Sequence, residues 1–192
     1  MAWANFIAYI IITGITPGPN NIASMSSGSR QGFKKGLSFN FGILVGFTIL
    51  MMLVTFFCST LSTLIPKVQP YLLVVGAGYM LYLAWHIFRA GTVSDSNQRE
   101  FGFREGFILQ FANIKTLIYG IVSMQVYIMP NYPNDMLVLS LFAFMLAFVG
   151  FLCTLTWSAF GSAMKVFFSK YSKATNTIMA LLLVYCAVSL FF

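Results

Sequence analysis

The sequence has few charged residues. Asp, Glu, Lys and Arg together make up 8% of its 192 residues, whereas about 25% is usual in a soluble domain. Hydrophobic residues make up 59% of the chain, which is more apolar surface than a soluble protein of this length could bury. The composition therefore excludes an ordinary soluble protein and indicates one that is surrounded by a lipid bilayer.

Groups that carry enzyme chemistry or hold metal ions are also scarce. The chain has four acidic residues, one histidine and three cysteines. No acidic residue falls within a predicted membrane span, and Cys58, Cys153 and Cys186 lack the spacing of a metal site or a disulfide framework. Because catalysis needs an acid/base pair, a metal cluster or an activated nucleophile within mutual reach, we expect no enzyme, no cofactor and no metal.

Apolar runs that are long enough to cross a membrane fill the chain. About 20 helical residues span roughly 30 Å of hydrocarbon. Six runs can be drawn, at about residues 2–29, 37–62, 70–88, 106–129, 136–160 and 174–192, and a turn with Pro66, Lys67 and Pro70 separates the second from the third. The sequence thus predicts an all-α integral membrane protein with six transmembrane helices in a single domain, residues 1–192.

Basic residues are concentrated in alternate connectors. The connectors after spans one, three and five hold Arg30, Lys34, Lys35, Arg89, Arg99, Arg104, Lys165, Lys170 and Lys173, whereas those on the opposite side hold only Lys67. Because Lys and Arg stay on the cytoplasmic side, both termini are expected outside the cytoplasm. The formal charge of +7 then reflects topology, and a nucleic-acid partner is not expected.

A polar segment at residues 89–105 divides the chain into two halves of three spans each. We expect repeat 1 at about residues 1–90 and repeat 2 at about residues 104–192. Halves with an odd number of spans have opposite orientations in the membrane. The sequence therefore predicts a 3+3 inverted repeat, which is the plan of many secondary transporters.

The first span is interrupted by the motif Thr16-Pro17-Gly18-Pro19-Asn20-Asn21. Each proline removes a backbone donor and clashes with the preceding turn, so we expect the first helix to be broken at Thr16 to Pro19. Broken backbone at membrane depth is tolerated where it is buried in protein or lines a polar cavity, and it points to a transporter's binding site. A kink that serves only packing is the alternative.

Lys115 is a lone charge deep inside a predicted span. Ten residues separate it from Glu105, which is about 15 Å along a helix, and nine residues separate Pro19 from Gly28, which is about 14 Å. The break and the lysine therefore fall at matching depth on helices that run in opposite directions. A charge at this depth is costly and indicates function, unless the side chain snorkels to the cytoplasmic surface.

These residues suit an anionic group such as a carboxylate. Residues 19–29 can resume as a half-helix with Pro19 at its first position, and the free N–H groups and positive dipole of that end attract an anion. Lys115 adds a full charge, or releases a proton during transport because burial disfavours its charged form.

A regular helix would point Asn113 and Lys115 in different directions, so a shared site requires local unwinding or separate partners. The predicted substrate-binding residues are Thr16, Pro17, Gly18, Pro19, Asn20, Asn21, Gln110, Asn113 and Lys115.

Several motifs carry a family resemblance. They are Thr16-Pro17-Gly18-Pro19, then Gly32-Phe33 followed by basic residues, and then Gly76-x-Gly78-Tyr79-x-Leu81-Tyr82-Leu83-Ala84-Trp85. With them the chain resembles the LysE/RhtB superfamily of amino-acid exporters, whose second-half motif, commonly Asn-Pro-Lys, here reads Asn113-Ile114-Lys115. The stretches Gln110-Phe111-x-Asn113-x-Lys115 and Ala180-Leu181-Leu182-Leu183-Val184-Tyr185-Cys186-Ala187-Val188 are similar to the branch that exports cysteine and O-acetylserine.

The resemblance implies efflux of small neutral amino acids or their metabolites, such as cysteine and O-acetylserine, across the bacterial inner membrane. Coupling to protons, alternating access and periplasmic termini are expected with it. An exporter of the threonine/homoserine or lysine type, an uncoupled channel-like facilitator and a channel or membrane-anchor subunit are the alternatives. Gly42 and Gly46 have the spacing of closely packed helices, either within one chain or between two copies in a homo-oligomer.

Overall fold

The computed structural model describes residues 3–89, 101–133 and 135–189, without the side chains of residues 58–69, 72 and 169. All regular structure in these ranges is helical, so the predicted all-α class is confirmed. The helices are α1 (Trp3–Ile15), α2 (Pro19–Gln31), α3 (Phe33–Arg89), α4 (Phe103–Ala112), α5 (Ile114–Val122), α6 (Met136–Ala163), α7 (Lys165–Lys170) and α8 (Ser172–Val188), and a π-helical segment (Ser123–Ile128) continues α5. Residues 90–100 of the predicted polar segment, with Arg99, and the side chains of Cys58 and Lys67 lie outside the described residues.

Large apolar side chains cover much of the outer surface. Leu137 on α6, Tyr185 on α8 and Val75 on α3 are 73%, 70% and 64% exposed. Extended apolar surface of this kind is unfavourable in water, but it is the ordinary surface of a helix beside lipid chains. The helices therefore have the surface of a membrane protein.

Helix lengths test the predicted spans in part. Among the described residues, Phe33–Phe57 within α3 and Met136–Ala163 are long and apolar enough to cross a membrane, and the bent pair Phe103–Ala112 and Ile114–Ile128 gives a third if it is counted as one span. The helices Trp3–Ile15, Leu73–Arg89 and Ser172–Val188 are apolar but shorter. The six spans and the 3+3 inverted repeat therefore stay predictions.

The link between the predicted second and third spans differs from the expectation. The sequence predicts a turn at Pro66, Lys67 and Pro70, but the backbone is helical from Phe33 to Arg89 except at Phe57, where φ is −112° and ψ is 19°. Proline is unfavourable inside a helix because of its missing N–H and its ring clash, but here the helix continues past both prolines. The helix is therefore interrupted at Phe57, which is earlier in the chain than the turn that the sequence predicts. This interruption ends the first arm of α3, Phe33–Phe57, and the second arm is Leu73–Arg89.

Two large apolar clusters form most of the core among the described residues, and the helix breaks lie between them. The first cluster includes Phe6 of α1 and Tyr119 of α5, together with side chains of α3 and α6. The second cluster includes Ile22 of α2 and Leu109 of α4, together with side chains of α3 and α8. Each break therefore joins a half-helix packed in one cluster to a half-helix packed in the other, which positions the breaks at the middle of the fold.

Glycines allow α3 to touch α4 and α2 to touch α6 through their backbones. A Cβ atom on Gly42 would lie 2.0 Å from the Phe103 carbonyl oxygen, and one on Gly46 would lie 2.8 Å from that of Phe107. On the other side, a Cβ on Gly161 would lie 2.1 Å from the Met25 carbonyl oxygen. Gly42 and Gly46 therefore pack within one chain, which answers the question that their spacing raised.

This packing predicts that a single methyl group at position 42 is destabilising. Gly42→Ala should lower the free energy of unfolding by about 1–3 kcal/mol, the usual cost of overpacking, because the clashing atom is backbone and cannot rotate away. The matched control is Gly78→Ala in the same helix, where nothing lies within 4 Å of the added Cβ and the change should stabilise by about 0.5–1 kcal/mol. Equal melting temperatures of the two variants in detergent would contradict the close contact.

Candidate functional site

The first break begins where α1 ends at Ile15 and finishes where α2 begins at Pro19. Pro19 occupies the first position of α2, where its missing N–H is not needed. Gly18 precedes it in extended conformation and is buried. A Cβ on Gly18 would lie 3.1 Å from Nζ of Lys115, so the absent side chain leaves room for the lysine.

The carbonyl groups at the end of α1 receive hydrogen bonds from side chains. Asn21 Nδ2 donates to the Gly14 carbonyl at 2.8 Å and to the Thr16 carbonyl at 2.9 Å. Trp157 Nε1 of α6 donates to the Ile15 carbonyl at 3.0 Å. The last carbonyls of a helix lack intrahelical partners, and a membrane interior offers no water in their place. These donors therefore make the break possible.

Lys115 adds a charge to the same end of α1. Its Nζ donates to the Thr16 carbonyl at 3.0 Å, where the negative end of the α1 dipole favours a cation. The two carboxylates that the structure describes are used elsewhere, since Glu105 accepts from the Gly102 N–H and Asp135 from the Val138 N–H. The ammonium group thus lies at the break between α1 and α2.

A second break separates α4 from α5 at Asn113. Its backbone is extended, with φ −97° and ψ 95°, and the two flanking segments make an angle of 63°. The Asn113 side chain accepts a hydrogen bond from the Lys115 N–H at 3.1 Å, so it caps the N-terminus of α5. The fourth span is therefore broken without a proline, and the break brings Asn113 and Lys115 to one site.

Three amide side chains connect the two breaks. Asn20 Nδ2 donates to Gln110 Oε1 at 2.8 Å, and Gln110 Nε2 donates back to Asn20 Oδ1 at 3.2 Å. Asn113 Nδ2 donates to the same Asn20 oxygen at 3.0 Å. Gln110 and Asn113 are buried and belong to predicted repeat 2, whereas Asn20 belongs to predicted repeat 1. The amides therefore hold the two broken helices in a fixed relation.

A cavity opens at these breaks. Six of the predicted residues line it: Gly18, Pro19, Asn20, Asn21, Asn113 and Lys115. Three do not: Thr16 and Pro17 have exposed side chains, and Gln110 is buried beside Asn20. The predicted set is thus brought together, but part of it supports the cavity from outside.

The rest of the cavity wall was not predicted from the sequence. It consists of Thr13, Gly14, Phe47, Thr116, Tyr119, Gly150 and Thr154. One available signal was that Thr116 follows Lys115 directly. Another was the spacing of Gly150 and Thr154, which puts both on one face of a helix. Nothing in the sequence pattern indicates that Phe47 and Tyr119 meet, because they belong to different helices.

The capping role of Asn113 predicts its effect on stability. Asn113→Ala should lower the free energy of unfolding by about 0.5–2 kcal/mol through the lost cap, and it also removes a donor to Asn20. Asn131→Ala is the control, because the exposed Asn131 amide donates to the Tyr127 carbonyl in the same turn, and such surface changes stay within about 0.5 kcal/mol. Thermal unfolding in detergent would compare them, and indistinguishable curves would contradict the cap.

Comparison with known proteins identifies relatives over the whole chain. A cysteine/O-acetylserine efflux protein of Salmonella typhimurium is 34% identical over 194 residues, covering 100% of this chain and 98% of the relative. The protein of that name from Escherichia coli K12 is 34% identical over 188 residues, with 97% and 96% covered. No solved structure matches the chain significantly. The LysE type translocator model matches residues 11–192, and the chain belongs to this family.

Proposed function

We propose that the chain exports small neutral amino acids or their metabolites, of the cysteine and O-acetylserine type, from the bacterial cytoplasm across the inner membrane. Membership of a translocator family and the names of its relatives support transport of this class. The observation that carries the proposal is the contact between Lys115 and the broken first helix at the cavity.

The substrate carboxylate binds at the N-terminus of α2. Gly18 has no side chain to cap this end, so the N–H groups of Asn20 and Asn21 remain available, as the first N–H groups of a helix are. The positive end of the α2 dipole and the Lys115 ammonium favour a negative charge there. On binding, the carboxylate would draw the ammonium group away from the Thr16 carbonyl.

The substrate ammonium group binds at the opposite side of the break. The C-terminal end of α1 is the negative end of a helix dipole, and Gly14 brings its backbone to the cavity wall. A broken helix thus offers a positive end and a negative end a few residues apart. This pair of ends is complementary to a zwitterion, and the remaining wall of hydroxyl groups and aromatic rings suits an uncharged side chain.

Transport proceeds by alternating access, with the two predicted repeats moving relative to each other around the cavity. The Lys and Arg positions favour a cytoplasmic location for α2 and α4. In that part of the fold, glycine residues allow α2 to pack closely against α6, and α4 to pack closely against α3. Thr13, Thr116 and Tyr119 extend the cavity into the half beyond the breaks. We therefore propose a conformation closed toward the cytoplasm, with both termini on the periplasmic side.

Replacement of the lysine tests the site. We expect Lys115→Met to reduce uptake of labelled cysteine and O-acetylserine into inverted membrane vesicles by about tenfold or more, since a hydrogen bond to a charged group contributes about 1.5–3 kcal/mol. Lys173→Met, at an exposed position in the last predicted basic connector, is the matched control and should transport normally. Full affinity and rate in the Lys115→Met variant would refute this role of the lysine.

The choice of labelled substrate tests the class. The same vesicles should accumulate cysteine and O-acetylserine better than threonine or lysine. A preference for lysine or threonine would assign the chain to another exporter type. No uptake of any amino acid by correctly folded protein would refute amino-acid export altogether.

Proton coupling is tested by an imposed gradient. The interior of inverted vesicles corresponds to the periplasm, so an acidic interior should increase uptake by exchange of substrate for protons. A protonophore should then reduce uptake to the level reached without a gradient. Saturable uptake at the same rate with and without the pH gradient would identify an uncoupled facilitator instead.

A further inference from the structure

Helix α2 is buried although its sequence is polar. Its residues 21–29 are all buried, and four of these nine residues are serine. The hydroxyl oxygens of Ser24 and Ser27 have no hydrogen-bond partner among the described residues. Buried polar groups are nearly always paired, and the interior of a membrane makes an unpaired group more costly. Apolar side chains would pack here at lower cost, so packing alone does not explain the serines.

Three helices continue the cavity wall toward the end of the fold where we expect the cytoplasm. On each helix the residues are spaced three, four or seven apart, which places them on one face. The three sets are Asn20, Ser24 and Ser27 on α2, Thr154 and Ser158 on α6, and Phe47, Asn40 and Gly36 on α3. Beyond the cavity, all three faces carry small or polar residues.

These faces meet at Gly36. A Cβ on Gly36 would lie 3.3 Å from Oγ of Ser27 and 3.3 Å from Oγ of Ser158, so hydroxyl groups of α2 and α6 converge on one point of α3. The Asn40 amide lies one turn further along α3 and donates to the Gly36 carbonyl at 2.9 Å. Its Oδ1 atom and the Ser158 hydroxyl also have no partner among the described residues. We call Ser24, Ser27, Gly36, Asn40 and Ser158 the polar seam.

Backbone contact closes the polar seam. A Cβ on Gly28 would lie 2.1 Å from the Ser158 carbonyl oxygen, so α2 and α6 touch with no side chain between them. Rotation of a side chain cannot open such a contact, and the helices must separate. Elsewhere α2 is held by Arg30, whose Nη2 donates to the Ile87 carbonyl at 2.9 Å and to Asn176 Oδ1 at 3.0 Å. Separation at the seam would therefore leave α2 attached to α8 and to the second arm of α3.

We propose that the polar seam is the cytoplasmic part of the substrate's route, and that it opens when α2 separates from α6 and from the first arm of α3. In this structure the seam is closed, and its hydroxyl groups find partners in water and substrate only when it is open. Hydroxyl and amide groups can hydrogen-bond a polar solute without a charge that would hold it back. The route rests on the proposed export function, because it is needed only if substrate crosses the membrane.

Cysteine accessibility in membrane vesicles tests the opening. In a chain with Cys58, Cys153 and Cys186 replaced by alanine, Ser27→Cys is treated with a charged, membrane-impermeant methanethiosulfonate reagent. Ser26→Cys is the matched control, because Ser26 is equally buried but lies on another face of α2. In inverted vesicles, whose outer surface is the cytoplasmic face, Ser27→Cys should react about tenfold faster or more, since an open state of about 0.1–10% exposes its thiol.

Ser158→Cys should react like Ser27→Cys, and both should react more slowly in right-side-out vesicles. Equal rates for Ser26→Cys and Ser27→Cys, no reaction at either seam position, or faster reaction in right-side-out vesicles would overturn the route. Uptake of amino acids with unreactive seam cysteines would refute the route and keep export. Reaction from the cytoplasmic side in a protein that moves no amino acid would refute export and keep the opening of the seam.

A cross-link that locks the seam gives the second test. In the double variant Ser27→Cys/Ser158→Cys on the same background, a short bis-methanethiosulfonate linker should join the thiols, because both native oxygens lie 3.3 Å from one point. The cross-link should reduce uptake of labelled O-acetylserine to background, and dithiothreitol should restore it. Methyl methanethiosulfonate, which caps both thiols without joining them, is the control and should preserve uptake. Full uptake by the cross-linked protein would overturn the route.

Discussion

The break in the first helix depends on donors that come from elsewhere in the chain. A helix that ends inside a membrane leaves carbonyl groups that no water can satisfy, and each costs several kcal/mol if unpaired. Asn21, Trp157 and Lys115 supply donors to the end of α1. One of these is a cation, so the group that stabilises the break is also the one that we propose for binding an anion. The requirement of the fold and the requirement of the site are met by the same side chain.

That interaction extends to the second break through the amide side chains. Asn20 stands at the start of α2 and accepts from both Gln110 and Asn113, so a shift of one broken helix changes the contacts of the other. The half-helices on either side of each break belong to different apolar clusters. A rocking motion between the clusters would therefore pass through the breaks, where backbone hydrogen bonds are already absent and few must be disrupted.

Local chemistry explains which features were predictable from the sequence. Pro17 and Pro19 on either side of Gly18 favour a helix break, and the position of Lys115 along its helix follows from counting residues from Glu105. The second break has no proline and depends on Asn113 as a cap, a role that most helices give to residues outside a membrane span. The turn expected at residues 66–70 was wrong because prolines alone do not end a helix. Phe47 and Tyr119 meet through tertiary packing, which no local pattern encodes.

A site built from helix ends also explains why so few charges suffice. A zwitterion brings one charge of each sign, and the two ends of a broken helix supply roughly half a charge of each sign in matching order. Only the carboxylate then needs a further partner, and in the proposed mode of binding Lys115 provides it. A carboxylate in the wall would pair with Lys115 and compete with the substrate for it. The scarcity of acidic residues is thus consistent with a site in which the substrate itself completes the charge balance.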